Sequence, residues 1–450
     1  MLKPLTFSGA YNIYKGGYIM IIHDAFSSLK NDLIHSFFYW LTFVISSLFI
    51  FLFLVVSMSD AIGVTFVQAK GDVATNLAVF SSVLCMIEIV FSNDFFARSK
   101  SRELAVRLVC GATYMQLAQY LLVQTIFLVV AAIPVGIITG VVCLPFISVL
   151  MSSLSGTQMT INITSQSLIW TVCILGFVVF WTVILNLSFA YRNSAAQLLN
   201  SQSIITGSSN PFLTAYLDDL KHLVGGKVQE IIRMLMSVLM FLVPIALFYY
   251  SPTGSMVFAA VSLVGLMSVI QKLAMPLLNQ YIGNHITNPE KTGYLGFVRH
   301  DLKILKINTT LLIATSVLLI TILCGMEKAS DAILVLITYA ASSALLSMAI
   351  LFRYASDLAG RRKYFKTMSH IGYMEDCERR MITKEVFMFY GIVIGLILLY
   401  VVNLCASMVI HGILGVENVP VLLISVIIPE LLCMLVNRKF YLDVIFRHKS

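Results

Sequence analysis

The chain has 450 residues, 59% of them hydrophobic and only 12% charged, with a formal charge of +8 and a mean hydropathy of +0.90. Those values exclude a soluble globular domain and a disordered chain, and they identify an all-α polytopic membrane protein whose spans each need about 20 mostly apolar residues. The basic excess lacks the base-stacking face of a nucleic-acid reader, so it is assigned to membrane topology and anionic headgroups, and no nucleic-acid partner is expected.

In chain order, residues 1–35 read as a cytoplasmic or interfacial lead without a cleavable signal peptide. The residues before Met20 are expected either to be poorly ordered or to mark an upstream start. Ten apolar windows follow, at 36–59, 73–94, 117–151, 166–190, 230–250, 254–272, 307–325, 330–353, 385–410 and 419–436. The third carries Pro134, Gly136, Gly140 and Pro145 and is too long for one upright span, so a tilt or kink is expected there. With both termini inside, only Lys70 and Lys328 of the 30 basic residues fall outside, which is a strong positive-inside asymmetry. The outer connections are then short, the one between the seventh and eighth spans being only GMEKAS. The inner side carries a polar segment over 191–227, a linker ending in HDLKILKIN, and a long basic loop over 353–384.

Two inner segments repeat. Setting Gly111 beside Gly372 aligns RSKSRELAVRLVCGATYMQL with DLAGRRKYFKTMSHIGYMEDCERR and places Lys100 and Arg102 opposite Arg361 and Lys363. A weaker echo joins AFSSLKNDLIHSFFYW to FVRHDLKILKINTTLL, a basic amphipathic lead into the first span of each unit. The parsing that follows is a first four-span unit at 36–200, a linker with two spans at 201–285, and a second unit at 286–450. In the first segment Leu104, Leu108 and Gly111 fall on one helical face, which predicts a short interfacial helix with its charges turned to the cytoplasm. Such a helix could be no more than a topology anchor, and the duplication is what argues for more.

Among acidic residues near the membrane, Asp94 and Glu385 are expected to pair with basic neighbours, whereas Glu88 and Glu430 stand evenly between pairing and an intramembrane function. The eight histidines show no HxxxH or HExxH spacing and the eight cysteines no CxxC pair, so neither a metal site nor a disulfide framework is expected. HLVGGK at 222–227 lacks the spacing of a phosphate-binding loop.

The pattern R-x-K-x-R-E-x-A-V-x-x-x-x-G-A-T, followed by a long Pro/Gly-containing span and closed by YRNSAAQLL, resembles the FtsX-like permeases, the membrane subunits of type VII ABC systems. The ten spans and the second loop, RRKYFKTMSHIGYMEDCERRMITKE, resemble in particular the bacitracin-efflux (BceB-type) branch. The chain departs from that branch in having GMEKAS where the relatives carry a large extracellular domain. The resemblance implies a multi-pass protein of the bacterial cell membrane that is itself no enzyme and holds no cofactor. ATP and Mg would sit on a separate cytoplasmic ABC ATPase, in two copies. That ATPase would dock on Arg98, Lys100, Arg102, Glu103, Arg107 and Gly111, and on Arg361, Arg362, Lys363, Lys366 and Gly372. The implied activity is movement or release of an amphipathic peptide or lipid-like molecule, as in antimicrobial-peptide resistance or export. The alternative is a non-transporting signalling scaffold that works with a sensor histidine kinase, a second permease or another membrane partner.

Overall fold

The computed structural model describes residues 25–30, 33–58, 73–155, 161–193, 226–250, 254–284, 289–326 and 329–446, and among these every regular element is helical. The residues before Met20, most of the polar segment over 191–227 and most of YRNSAAQLL lie outside the described residues. Nine described stretches are long and apolar enough to cross a membrane. The described helices fall into two compact units with a boundary close to Ser208.

The first unit opens with a helical turn at 25–30, followed by α1 (Leu33–Ser57), α2 (Val73–Ser99), the short α3 (Ser101–Val109), α4 (Tyr114–Ser155) and α5 (Ser165–Arg192). α1 packs on α2 and α5, and α2 on α5. α4 is one unbroken helix of 42 residues through Pro134 and Pro145, a length of roughly 60 Å at 1.5 Å per residue, about twice the hydrocarbon thickness. Gly136 and Gly140, one turn apart, let α4 close on α1. A Cβ at Gly136 would stand 2.6 Å from the Val44 carbonyl oxygen, and one at Gly140 would stand 2.5 Å from the Phe51 ring. In lipid the hydrophobic effect does not drive helices together, so such close packing carries the association.

The second unit comprises α6 (Gly226–Leu247), α7 (Ser255–Val269), a π-turn (Ile270–Ala274), α8 (Met275–Asn284), α9 (Pro289–Cys324), α10 (Ala329–Ile371), α11 (Glu375–Ile410), a 3-10 turn (Val416–Asn418) and α12 (Val419–Phe446). α6 pairs with α7, and α7 leans on α9. The fifth expected span falls on α6, whose described apolar part, Ile232–Leu247, is shorter than the nine that qualify as spans. Gly265 of α7 sits against the α6 backbone, where a Cβ would be 2.5 Å from Phe241 N. Beside it the Ser262 hydroxyl donates to the Phe241 carbonyl at 2.8 Å. α9, α10, α11 and α12 form the body of the unit, with α10 packed on α12 and α9, and α11 on α9 and α12.

The expected basic loop over 353–384 is instead helical. α10 continues to Ile371 and α11 starts at Glu375, because 361–371 contains neither glycine nor proline and nothing stops the helix before Gly372. The basic lead over 289–306 is likewise continuous with its span in the 36-residue α9. Charge density had the look of a loop in the sequence. It marks helix that runs past the apolar window.

Candidate functional site

The two repeated segments end in the same backbone device. In the first, Gly111 N–H donates to the Leu108 carbonyl at 3.1 Å and Ala112 N–H to the Arg107 carbonyl at 3.0 Å. In the second, Gly372 N–H donates to Ser369 at 3.2 Å and Tyr373 N–H to Met368 at 3.1 Å. These are paired Schellman caps, which need a left-handed residue and therefore select glycine. Gly111 has φ +95° and Gly372 φ +104°. In both copies the next helix begins three residues after the glycine, at Tyr114 and Glu375. The alignment drawn from the sequence is thus matched in geometry, residue for residue, across the turn.

Facing of the side chains differs from a simple charged docking helix. In α3, Leu104 and Ala105 are fully buried against Ala25, Leu117, Ala118, Tyr120, Leu121 and Ala190, and Leu108 packs on the same cluster. Val106 and Val109 are exposed. The outer face therefore mixes apolar and charged groups. At the second turn Tyr364, Ile371 and Met374 are exposed, as is Lys366. An exposed apolar patch rimmed by charge marks a protein or a membrane-surface contact.

The expected docking residues divide into groups. Arg98 pairs with Asp94 at 2.9 Å, one helical turn away and part exposed. Glu103 accepts from Ser28 Oγ at 2.7 Å, from Arg107 Nη2 at 3.5 Å and from the Tyr120 hydroxyl, while the Arg107 guanidinium lies 4.0 Å over the Tyr120 ring. The side chains of Arg102, Arg362 and Lys363 lie outside the described part of the structure. Lys100 and Arg361 do not face outward. Each is 3% exposed and points into its own unit, Lys100 toward Ser28 and Arg361 toward Asp301 and Glu385.

Arg361 is the centre of the second bundle. Its guanidinium bridges Asp301 of α9 and Glu385 of α11, lies within 3.4 Å of the Tyr441 hydroxyl on α12, and sits over the Phe297, Tyr354 and Tyr441 rings at 5.3, 5.2 and 5.9 Å. Tyr354 and Tyr441 each donate to Glu385, at 2.8 and 3.2 Å. One side chain on α10 is thereby tied to the other three helices of the body. Sequence reasoning anticipated pairing for Glu385 and Asp94, but it missed Asp301, Tyr354, Tyr441, Ser28 and Tyr120. Asp94 and Arg98 stand at i, i+4, a spacing visible in sequence; the others meet only through the tertiary fold.

The two membrane carboxylates are both buried. Glu88 on α2 is 3% exposed and Glu430 on α12 0%. Glu430 accepts from Ser347 Oγ at 3.0 Å, and Ser347 belongs to a polar stripe on α10. One turn back, Ser343 donates to the Ser425 carbonyl at 2.9 Å, the group that Pro429 deprives of its helical partner. A turn further, Tyr339 donates to the Leu422 carbonyl at 3.3 Å. Beside Glu430, α11 and α12 form a crevice lined by Ile394, Ile397, Leu398, Leu423 and Ile427. It is too narrow for a water molecule. Among the described residues no three His, Cys, Asp or Glu side chains converge as a metal site would require.

No curated protein matches the chain. Residues 76–197, from early in α2 through α5 and including the first capped segment, match the family described as FtsX-like permease C-terminal.

Proposed function

We propose that the chain is the membrane subunit of an ABC system in the bacterial cell membrane, with both termini cytoplasmic. A separate cytoplasmic ATPase, in two copies, grips the capped turns at Gly111 and Gly372 and drives movement or release of an amphipathic peptide or lipid-like molecule. The observation that carries this reading is the paired caps at equal spacing, each between two long helices of its unit. A rigid turn joined to two spans passes a nucleotide-driven rotation into the bilayer as a hinge or shear motion. The FtsX-like match over the first copy supports the assignment, and the repeat extends it to the second.

A second reading, a scaffold that passes the ATPase state to a sensor kinase or second permease, is favoured by the four-residue connection between α9 and α10. It leaves no room for an outer domain to capture a substrate. Co-expression with a candidate ABC ATPase, co-purification and a hydrolysis assay test the proposal. The expectation is that Arg102→Glu and Arg362→Glu each lower permease-dependent hydrolysis at least tenfold. Full binding and unchanged stimulation in both variants would refute the docking assignment. Retained stimulation without any substrate-dependent change would favour the scaffold.

A further inference from the structure

The repeat places different chemistry at equivalent positions. Lys100 stands eleven residues before Gly111, and Arg361 eleven before Gly372. Gln124 stands thirteen residues after Gly111, and Glu385 thirteen after Gly372; both are 0% exposed. The group that reaches each buried cation from the lead-in helix is Ser28 Oγ, 3.3 Å from Lys100 Nζ, and the Asp301 carboxylate on Arg361. Each is followed by a buried leucine, Leu29 and Leu302. Where the first unit has lysine, serine and glutamine, the second has arginine, aspartate and glutamate; the carboxylate beside Lys100 is Glu103, 4.0 Å from its Nζ and on the adjoining α3, one turn on along the chain.

Backbone continuity differs at the same point. In the first unit the helix is interrupted at Lys100, which has φ −86° and ψ −4° between α2 and α3, well off the helical ψ of about −42°. In the second, α10 runs through Arg361 without interruption from Ala329 to Ile371. A planar guanidinium that bridges carboxylates on two other helices fixes both position and orientation, whereas an ammonium is a point charge on a flexible stem.

We infer that Arg361, with Asp301 and Glu385, is a positioning cluster that holds the second capped turn stiffly on its bundle, and that the first turn, hinged at Lys100, is the member that swings. This deepens the docking proposal by making its two contact points inequivalent: one is a fixed mount and the other a moving one. The cluster does not touch the ATPase. It sets where the turn at Gly372 stands.

Amide hydrogen exchange of the full chain in nanodiscs, without any ATPase, tests this independently of the docking proposal. Peptides covering 362–373 are expected to exchange at least tenfold more slowly than those covering 101–112. Arg361→Gln should speed 362–373 at least tenfold while the apolar spans of α9 and α12 stay protected, and Arg361→Lys should recover part of that protection. The reciprocal graft, Ser28→Asp with Lys100→Arg and Gln124→Glu, should slow exchange over 101–112. Equal exchange of the two segments in the unaltered chain overturns the inference. So does a graft that folds with unchanged spans and leaves 101–112 as fast as before, which decides the matter even if Arg361→Gln unfolds its unit.

Discussion

Replacing Gly111 or Gly372 by alanine isolates the strain of the two caps. At φ +95° and +104° a side chain costs about 1–2 kcal/mol for the left-handed backbone alone. Nothing lies within 4 Å of a Cβ added at either position, so no steric clash contributes and the cost is conformational. Each variant should therefore lose about 1–2 kcal/mol, a five- to thirtyfold change in an unfolding equilibrium, and the two losses should agree because the two turns share their hydrogen bonds. Both turns join packed helices, so the loss should register in unfolding of the full chain by detergent titration in mixed micelles, followed by circular dichroism. Asparagine, which tolerates the left-handed region, should cost less than alanine at both positions. Gly176, inside α5 and also open around its Cβ position, provides the control, where alanine should be neutral or mildly stabilising. The reasoning is refuted if alanine at Gly111 and Gly372 behaves like alanine at Gly176, or if asparagine costs as much as alanine.

Gly265→Ala should destabilise the α6–α7 pair by about 1–3 kcal/mol, because its Cβ meets backbone and not a movable side chain; Gly395→Ala, open in α11, should be tolerated in the same mixed-micelle unfolding assay. Ser343→Ala should cost about 1 kcal/mol by stranding the Ser425 carbonyl. Pro429→Ala restores the helical donor to that carbonyl, so a double-mutant cycle of the two should show a coupling of at least about 0.5 kcal/mol, and strict additivity would sink this account. Glu430→Gln keeps an acceptor for Ser347 and should leave stability within about 0.5 kcal/mol. If the same variant abolishes ATPase stimulation, the carboxylic acid itself is used; if stimulation persists, Glu430 serves packing alone.

Most of the architecture was legible because it rests on local signals. Nine of the ten apolar windows coincide with helices able to span, since hydropathy over about 20 residues is set by solvent and not by partners. The glycine-centred repeat was legible for a related reason: a left-handed cap tolerates few residues, so the fold leaves its mark on sequence at that position. The inward turn of Lys100 and Arg361 was not legible. Both lie in runs of basic residues that read as surface, and the acids that bury Arg361 are Asp301 and Glu385, 60 and 24 residues away in sequence. The helical character of 353–371 was hidden in the same way, because charge suggested solvent where the backbone had no reason to stop.

The length of α10 has a mechanical consequence. Its apolar span ends at Tyr354 and the helix continues to Ile371, an overhang of roughly 25 Å at 1.5 Å per residue. Arg361 clamps this lever less than halfway along. Free of that tie, a tilt of about 10° about the end of the span would carry the tip roughly 4 Å; tied at Arg361 to α9, α11 and α12, the helix leaves only its last stretch, roughly 15 Å, to flex, so a load at Ile371 is shared among four helices before it reaches the span.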